Sequence, residues 1–530
     1  MPGGPTPLDS DSALTAAGDR TTRAWWSAII LTAIVIRLPF ALESGLTGDE
    51  ANYVLIAQCA AGDILTGAAL DPSNPPLFML ALHGLMNVVG DRIWAHRLMT
   101  VVMNVAGIVL MTLLFRRWVG AKAAVLAGLL AAMHPWQTYM ATEVRGYALA
   151  GVCAAAALEA GDRFERKGSV SAVACWALAC AAGFWTHYSM AVVALVTGVY
   201  TLVRIRRNRR HVLAWCLAGS AAAAIMLLWL PLMLRQQIHP GAGPAHFWHL
   251  AGLPIIQCLG TTYLRPAISL TWMVIGGLAA AIVYGLVGLM GIAHLFRVHR
   301  RALLLVIGLL AATVVVPVAR SVAIGSLAFS ARYTFVANVT ALLLLACGLT
   351  ALRPRPRRIA MICIIALSCV SLAQLRWVYV GRSLPAEMTA KAQAEIPDGE
   401  AVLFPHVVDA LRARFYAGGG FPHAFVQGSE AGKVGFLRPG ATWRDVADAR
   451  FYRPETFFTR EARAQLHTFG AVWYLQSKRS DALPPVLGTA YQLDRIVTLA
   501  PGGQFGQERP LRLIRFCRIA SAPAPSNQGA

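Results

Sequence analysis

Acidic residues are scarce in this 530-residue chain and are unevenly placed. The chain has 26 Asp and Glu against 47 Lys and Arg, and no acid lies between Glu165 and Glu387. Charged residues make up only 14% of the chain, whereas hydrophobic residues make up 57% and the mean hydropathy is +0.55. A soluble fold could not cover so many apolar side chains, so the composition excludes a soluble protein and indicates an integral membrane protein.

Cysteine and net charge exclude two further classes. Of the ten cysteines, only Cys59, Cys258 and Cys517 lie outside the apolar segments, so no disulfide framework is indicated. A net charge of +21 would suggest a nucleic-acid partner in a soluble protein. Here the basic residues cluster between apolar segments, as topology signals do, and nucleic-acid binding is therefore excluded.

Apolar segments of spanning length occur eleven times. They fall near residues 25–42, 98–115, 123–140, 146–161, 169–187, 189–203, 212–234, 269–296, 302–319, 333–352 and 359–377. The first segment contains Arg37 and has no clear cleavage site, so it is interpreted as an uncleaved span. The stretch Pro76–Gly90 is too short to span and carries a polar stripe, which predicts a helix in the outer interface.

The basic residues predict the orientation of these spans. Twenty of them lie on alternate connections, whereas the opposite connections hold nine up to Arg382. The positive-inside rule therefore places the N-terminus in the cytoplasm and the chain after the last span outside the cytoplasmic (inner) membrane. We expect the arginine clusters on the cytoplasmic face to contact anionic membrane lipids.

The last quarter of the chain differs from the rest in having 17 basic and 13 acidic residues after residue 384 and only short apolar runs. Ala401–Phe404 and Ala471–Leu475 are typical of buried strands, and Val407–Tyr416 of a helix. The predicted fold is thus an all-α polytopic membrane domain of about eleven transmembrane helices, with interfacial helices in the first external loop, followed by a small external α/β domain. The predicted boundaries are a disordered cytoplasmic tail (1–23), the membrane domain (24–384), the external domain (385–520) and a disordered tail (521–530).

Two groups of polar residues on the predicted outer side are candidates for chemistry. Asp49 and Glu50 follow the first span, and Glu143 and Arg145 follow the third. Either group has a simpler interpretation. Acids at the start of an interfacial helix favour its dipole, and the second group could be a solvated turn.

The order of these motifs resembles membrane glycosyltransferases of the GT-C superfamily, in the protein O-mannosyltransferase and lipid A aminoarabinose transferase group. The bacterial branch with lipopolysaccharide-modifying galacturonosyltransferases is the most similar. The resemblance covers about residues 25–380. It runs through Asp49-Glu50, Asn74-Pro75-Pro76-Leu77-Phe78, Gly90-Asp91, Arg97-Leu98, Pro135–Tyr147 with its Tyr-x3-Glu-x-Arg-x-Tyr spacing, Thr186-His187-Tyr188 and Ala331-Arg332-Tyr333.

The resemblance implies transfer of a sugar from a polyprenyl-phosphate donor to a hydroxyl of a lipid, glycan or protein acceptor. Asp49 matches the family's catalytic aspartate and is the expected base, with Glu50 orienting the acceptor. Glu143 is expected to hold Arg145 or to act on the acceptor. The expected donor-phosphate residues are Arg145, Arg332, Tyr333, His187 and Tyr188.

Two departures limit the resemblance. Asn74 stands where family members often carry His, and the C-terminal domain has no matching motif. No cofactor is expected. A divalent metal at the pair His246 and His249 is an alternative that lacks a nearby carboxylate or Cys to complete it.

Two other functions compete with glycosyl transfer. A transporter of a polar or lipid-linked solute would also carry ionisable groups in a many-span domain, but more often near the midplane and in two similar halves. A polysaccharide polymerase or ligase would usually need arginines in a large external loop, where residues 235–268 offer only Arg235 and Arg265.

Overall fold

The protein folds into a helical membrane domain followed by a small α/β domain, which confirms the predicted fold class. The computed structural model describes residues 7–42, 45–67, 69, 74–236, 270–323, 335–380, 384–404, 413, 421, 423–427, 434–437, 460–476, 484, 486–487, 490–500 and 511–519. The helix predicted for Val407–Tyr416 lies outside these residues except for Ala413, and so does the tail 521–530.

The described helices of the membrane domain number sixteen, and their bounds follow in chain order. They are α1 (Pro7–Ala41), α2 (Gly48–Ala57), α3 (Ala61–Thr66), α4 (Leu77–Val89), α5 (Ile93–Val119), α6 (Ala121–Met133), α7 (Pro135–Thr142), α8 (Tyr147–Lys167), α9 (Val170–Phe184), α10 (Met190–Ile205), α11 (Arg209–Leu227), α12 (Leu230–Gln236), α13 (Leu270–Val298), α14 (Arg300–Ala323), α15 (Phe335–Ala351) and α16 (Pro354–Val380).

Each of the eleven predicted spans coincides with helix in the described part of the chain. Five of these helices are long and apolar enough to cross a bilayer by length and composition, and others are shorter apolar helices. The third predicted span is divided into α6 and α7 at His134, because Pro135 cannot donate a backbone hydrogen bond and so interrupts the helix. The seventh is divided into α11 and α12.

Helix α1 begins earlier than the sequence predicts. It extends from Pro7, so the stretch predicted to be a disordered tail up to residue 23 is helical from residue 7. Adding residues to an existing helix costs less than nucleating one, and a proline in the first turn is compatible with a helix start. The apolar pattern identifies only the segment Ala24–Ala41 that can cross a membrane.

The stretch between α1 and α5 includes the short helices α2, α3 and α4. Helix α4 has 13 residues and so is about 20 Å long, shorter than a bilayer core of about 30 Å. This length agrees with the prediction of an interfacial helix for Pro76–Gly90.

Helices α13 and α15 cross at two glycines. A Cβ on Gly291 would collide with the carbonyl oxygen of Leu344, and a Cβ on Gly348 would collide with that of Val287. The two contacts are reciprocal because 287 and 291, like 344 and 348, lie one turn apart on the same helix face. Small residues at these positions let the two backbones approach closely, as at many membrane helix crossings.

Carboxylates near the end of α8 hold several helix ends together. Glu159, Asp162 and Glu165 pair with arginines from the ends of α5 and α10 and the start of α14: Arg117, Arg204 and Arg301. The distance from Arg204 Nε to Glu165 Oε1 is 2.8 Å. The sequence assigns these basic connections to one side of the membrane. The ion pairs place them at the same end of the helical bundle.

The α/β domain contains a six-stranded mixed sheet with the order β3-β2-β1-β4-β6-β5. Its strands are β1 (Ala401–Phe404), β2 (Ala424–Gln427), β3 (Val434–Leu437), β4 (Ala471–Gln476), β5 (Tyr491–Ala500) and β6 (Leu511–Arg518). Strand β1 is parallel to β2 and β4, and the other pairs are antiparallel. The two strands predicted from the sequence are β1 and β4. The described part of the domain also contains the helices α17 (Leu384–Glu395) and α18 (Arg460–Leu466).

The sheet joins the membrane domain through one of its faces. Val402 and Phe404 of β1 pack in one cluster with Val54 of α2 and Phe78 of α4. Successive strand residues point to opposite faces, so Leu403 lies instead in the domain's own core. The domain therefore rests on the short helices between α1 and α5.

Candidate active site

The start of α2 separates two neighbouring carboxylates. Thr47 caps the helix, its Oγ1 accepts from the N–H of Glu50, and its own N–H donates to Glu50 Oε2 at 2.7 Å. This capping box turns the Glu50 side chain back into the protein. Asp49 precedes it by one residue and points away, with 51% of its side chain exposed.

Glu50 is fully buried and is held by a buried arginine. Arg97, in the second turn of α5, donates from Nη2 to Glu50 Oε1 at 3.2 Å, and neither side chain is exposed. Arg97 also donates to the carbonyl of Gly45. The N–H of Val144 donates to Glu50 Oε1 at 3.1 Å. Glu50 therefore ties α2 to α5 and to the segment after α7, which favours a positioning role over the predicted contact with the acceptor.

Asp49 pairs with Arg145, and the two form the centre of the site. Arg145 Nη1 donates to Asp49 Oδ2 at 2.7 Å. The guanidinium lies 5.6 Å from the ring centre of Tyr53 and 5.0 Å from that of Tyr147. These contacts with aromatic rings favour the cation.

Arg145 is 9% exposed, and its Nε has no hydrogen-bond partner within the described part of the chain. Burial opposes its charge, but the tyrosines and the carboxylates of Asp49 and Glu143 raise its pKa well above the usual value. The site thus holds a permanently charged guanidinium with donor capacity that Asp49 does not use.

His187 lies beside this pair, between α9 and α10. Its ring centre is 5.3 Å from that of Tyr147 and 5.9 Å from that of Phe335. Its Nδ1 accepts from the N–H of Ser189 at 3.2 Å. Burial, and then the charge of Arg145, lower the pKa of His187 to about 3, so the imidazole is neutral at physiological pH.

The other predicted site residues have different surroundings. Glu143 ends α7, is 1% exposed, and its backbone carbonyl accepts from the N–H of Arg145 at 2.8 Å. The Tyr188 hydroxyl accepts from Trp229 Nε1 at 2.9 Å, at the break between α11 and α12. Arg332 and Tyr333 lie outside the described residues, immediately before α15.

His246 and His249 also lie outside the described residues. Within the described part of the chain, no three His, Cys, Asp or Glu side chains form a group that could hold a metal ion. The expectation that no metal is required stays a prediction.

The sequence predicts that Glu143 holds Arg145, and the charge of Glu143 does help to raise the pKa of Arg145. The sequence does not predict that the guanidinium also contacts Asp49, 96 residues away. Nor does it predict that Arg97, which lies within a motif, pairs with Glu50. A signal was present, since two adjacent acids at a helix start point in different directions and each needs its own cation if buried.

The fold is similar to that of ArnT from Cupriavidus metallidurans. The apo crystal structure of ArnT matches with a TM-score of 0.59 at 16% identity, covering 95% of this chain and 100% of ArnT. The structure of the same enzyme bound to undecaprenyl phosphate matches with a TM-score of 0.60 at 16% identity, covering 94% and 99%. This likeness defines the fold of the whole chain.

Residues 73–231 match the family model of dolichyl-phosphate-mannose-protein mannosyltransferase. This segment contains Arg97, Glu143, Arg145 and His187. A search of curated proteins finds no match. The ArnT-like fold and the family model over residues 73–231 agree with the resemblance that the sequence motifs indicate.

Proposed function

We propose that this protein is an integral membrane glycosyltransferase that moves a sugar from a polyprenyl-phosphate donor to an acceptor hydroxyl. Three findings support this proposal: the fold of ArnT over the whole chain, the mannosyltransferase family model over residues 73–231, and undecaprenyl phosphate bound to ArnT. The acceptor belongs to a lipid, a glycan or a protein.

The Asp49–Arg145 pair is the observation that carries the proposal. Glycosyl transfer to a hydroxyl needs a base for the hydroxyl proton and a cation for the departing phosphate. Asp49 offers an exposed carboxylate, and Arg145 offers a buried guanidinium with an Nε that lacks a partner among the described residues. A carboxylate and a guanidinium at 2.7 Å supply both groups within one site.

In the proposed reaction, Asp49 accepts the proton of the acceptor hydroxyl as its oxygen bonds to the anomeric carbon. The bond from this carbon to the phosphate oxygen breaks, and the lipid phosphate leaves with the electron pair. Arg145, joined by Arg332 from the segment before α15, stabilises the charge on the phosphate.

Donor binding and activation of the base are linked in this scheme. A phosphate that binds Arg145 competes with Asp49 for the same guanidinium. The carboxylate then loses its ion pair, which leaves it available to accept a proton. Arg145 therefore holds Asp49 ionised before the donor arrives and releases it on donor binding.

The remaining predicted residues receive supporting roles. Glu50 positions Asp49 through α2. Glu143 adds negative charge that keeps Arg145 cationic, in agreement with the raised pKa of Arg145. His187, Tyr188 and Tyr333 form the neutral and aromatic surroundings of the phosphate.

We further propose that the site faces the outside of the cytoplasmic membrane. The arginine-rich connections gathered around Glu159, Asp162 and Glu165 belong to the cytoplasmic end by the positive-inside rule. Helix α2 and the α/β domain, which pack together, would then lie at the opposite, external end, with the N-terminus in the cytoplasm.

Arg145→Gln tests the phosphate role directly. The purified variant should bind undecaprenyl phosphate at least about 10-fold more weakly, since charged hydrogen bonds contribute about 1.5–3 kcal/mol. Binding can be followed by the shift in melting temperature that the lipid phosphate causes. Arg163→Gln is the matched control, because Arg163 is an exposed arginine near the end of α8. Equal binding by Arg145→Gln and the wild type would contradict the assignment.

A further inference from the structure

Arg37 is a buried arginine within the segment of α1 that can cross a membrane. Its side chain has no exposed surface. A charged side chain in a span is costly and requires partners inside the protein. Residues that carry this cost are often functional, which makes the partners of Arg37 informative.

The partners of Arg37 within the described part of the chain are all neutral acceptors. Nη1 donates to the carbonyl of Ala132 at 2.6 Å and to that of Ala33 at 3.1 Å. Nη2 donates to the carbonyl of Ala131 at 3.2 Å. Nε donates to the side-chain oxygen of Asn104 at 3.0 Å.

The break between α6 and α7 explains why two of these carbonyls are available. In a continuous helix, the carbonyl of residue 131 would accept from residue 135, and that of 132 from residue 136. Pro135 has no N–H to donate. The N–H of Trp136 donates instead to His134 Nδ1 at 3.2 Å. Arg37 donates to both of these carbonyls, which would accept from residues 135 and 136 in a continuous helix.

A chain of side-chain hydrogen bonds extends from Arg37 to α7 and α15. Asn104 Nδ2 donates to Gln137 Oε1 at 3.3 Å, and Gln137 Nε2 donates to Asn338 Oδ1 at 2.7 Å. All of these residues are buried. Gln137 lies on α7, which leads to Arg145, and Asn338 lies on α15, which follows Arg332. The chain of hydrogen bonds therefore joins α7 to α15, the helices that lie closest in sequence to the proposed phosphate-binding arginines.

We infer that Arg37 is a positioning residue that fixes the break between α6 and α7 and thereby holds Arg145 opposite Asp49. Its guanidinium replaces the backbone donors that Pro135 and the His134 cap remove, while its Nε aligns Asn104 with α7. The expected effect on donor binding rests on the proposed function, whereas the expected effect on the backbone of α7 does not depend on it.

The test combines Arg37→Met with Pro135→Ala, which restores a backbone N–H at residue 135. Arg37→Met should lower the melting temperature and speed amide hydrogen exchange in α7. Adding Pro135→Ala should recover part of the lost melting temperature, because the Ala131 carbonyl regains a donor. Arg376→Met is the matched control. Arg376 donates to the carbonyl of Pro39, which lies on α1 like Arg37, but Arg376 is partly exposed. It should leave α7 exchange unchanged.

The donor KM distinguishes a role of Arg37 in positioning Arg145 from a role in packing alone. The double variant should keep a raised donor KM, at least about 10-fold above wild type, because a straightened break displaces Arg145. If Arg37→Met does not fold, Arg37→Lys keeps the charge with fewer donors and should show the same changes in weaker form.

Unchanged exchange in α7, or no recovery of melting temperature by Pro135→Ala, would overturn the inference. A donor KM in the double variant equal to that of wild type would overturn the positioning of Arg145. Melting and exchange need no substrate, so they decide the role of Arg37 at the break even if the proposed glycosyl transfer is wrong.

Discussion

Two adjacent acids, Asp49 and Glu50, lie in opposite environments although both are in the first turn of α2. The capping box directs Glu50 inward to Arg97, where both charges are fully buried. Asp49 remains half exposed beside Arg145. A buried, fully paired carboxylate is fixed by its surroundings, whereas an exposed one can change partner. The difference in burial therefore favours a structural role for Glu50 and supports the proposed chemical role of Asp49.

His187 should make stability depend on pH. Its pKa is lowered from 6.5 to about 3 in the folded protein, so the unfolded chain binds a proton that the folded one does not. This contribution to stability is fully present above pH 6.5 and is lost as the pH falls from 6.5 towards 3. Melting temperatures between about pH 7 and pH 4 should therefore fall more steeply for the wild type than for His187→Gln. Identical slopes would show that His187 is not buried as a neutral group.

The motifs make Asp49 and Arg145 candidate site residues but do not predict that they touch. Their ion pair joins positions 49 and 145, and chain order does not reveal such a contact. The Glu50–Arg97 pair was missed for the same reason. Arg332 and Tyr333 lie outside the described residues and stay predictions.

At the scale of single elements, apolar patterning was a reliable guide to helix positions. It did not separate α6 from α7, because the apolar pattern continues through His134 and Pro135 while the backbone hydrogen bonds do not. Strands β1 and β4 were identified by their short buried runs. Strands β5 and β6 contain exposed or charged residues, such as Leu493 and Arg495 of β5, and lack that signal.

The crossing of α13 and α15 gives a test at this scale. Gly291→Leu should destabilise the protein by about 1–3 kcal/mol or more, because its side chain meets a backbone carbonyl that cannot move aside. Gly288→Leu is the matched control on the same helix, since a Cβ there meets nothing within 4 Å. Thermal melting in detergent measures both. A Gly291→Leu variant as stable as Gly288→Leu would show that the helices are not in close contact there.

At the scale of the whole molecule, the α/β domain and the site are physically joined. Phe404 of β1 packs in the same cluster as Val54 and Ala51 of α2, the helix that begins beside Asp49. No sequence motif predicts this contact, because it depends on how two separate hydrophobic surfaces meet. The α/β domain therefore contributes to the position of α2 and, through it, of the proposed base.

Phe404→Ala tests this connection against a variant on the opposite face of the same strand. Removing the ring should cost about 3–5 kcal/mol, and Leu403→Ala about 2–5 kcal/mol. Both should destabilise the α/β domain, but only Phe404→Ala should speed amide exchange in α2 and reduce sugar transfer. Hydrogen exchange monitored by mass spectrometry distinguishes them. Unchanged exchange in α2 of Phe404→Ala would mean that the domain does not support the site.

Sugar transfer by Asp49→Asn, measured in a single turnover with a polyprenyl-phosphate-linked sugar, is the most direct test of the proposed reaction. A general base contributes about 10²–10⁴-fold, so we expect the rate to fall by at least about 100-fold. The variant should bind undecaprenyl phosphate as tightly as the wild type or more tightly, because Asp49 no longer competes for Arg145. A transfer rate equal to that of the wild type would contradict the assignment of Asp49 as the base.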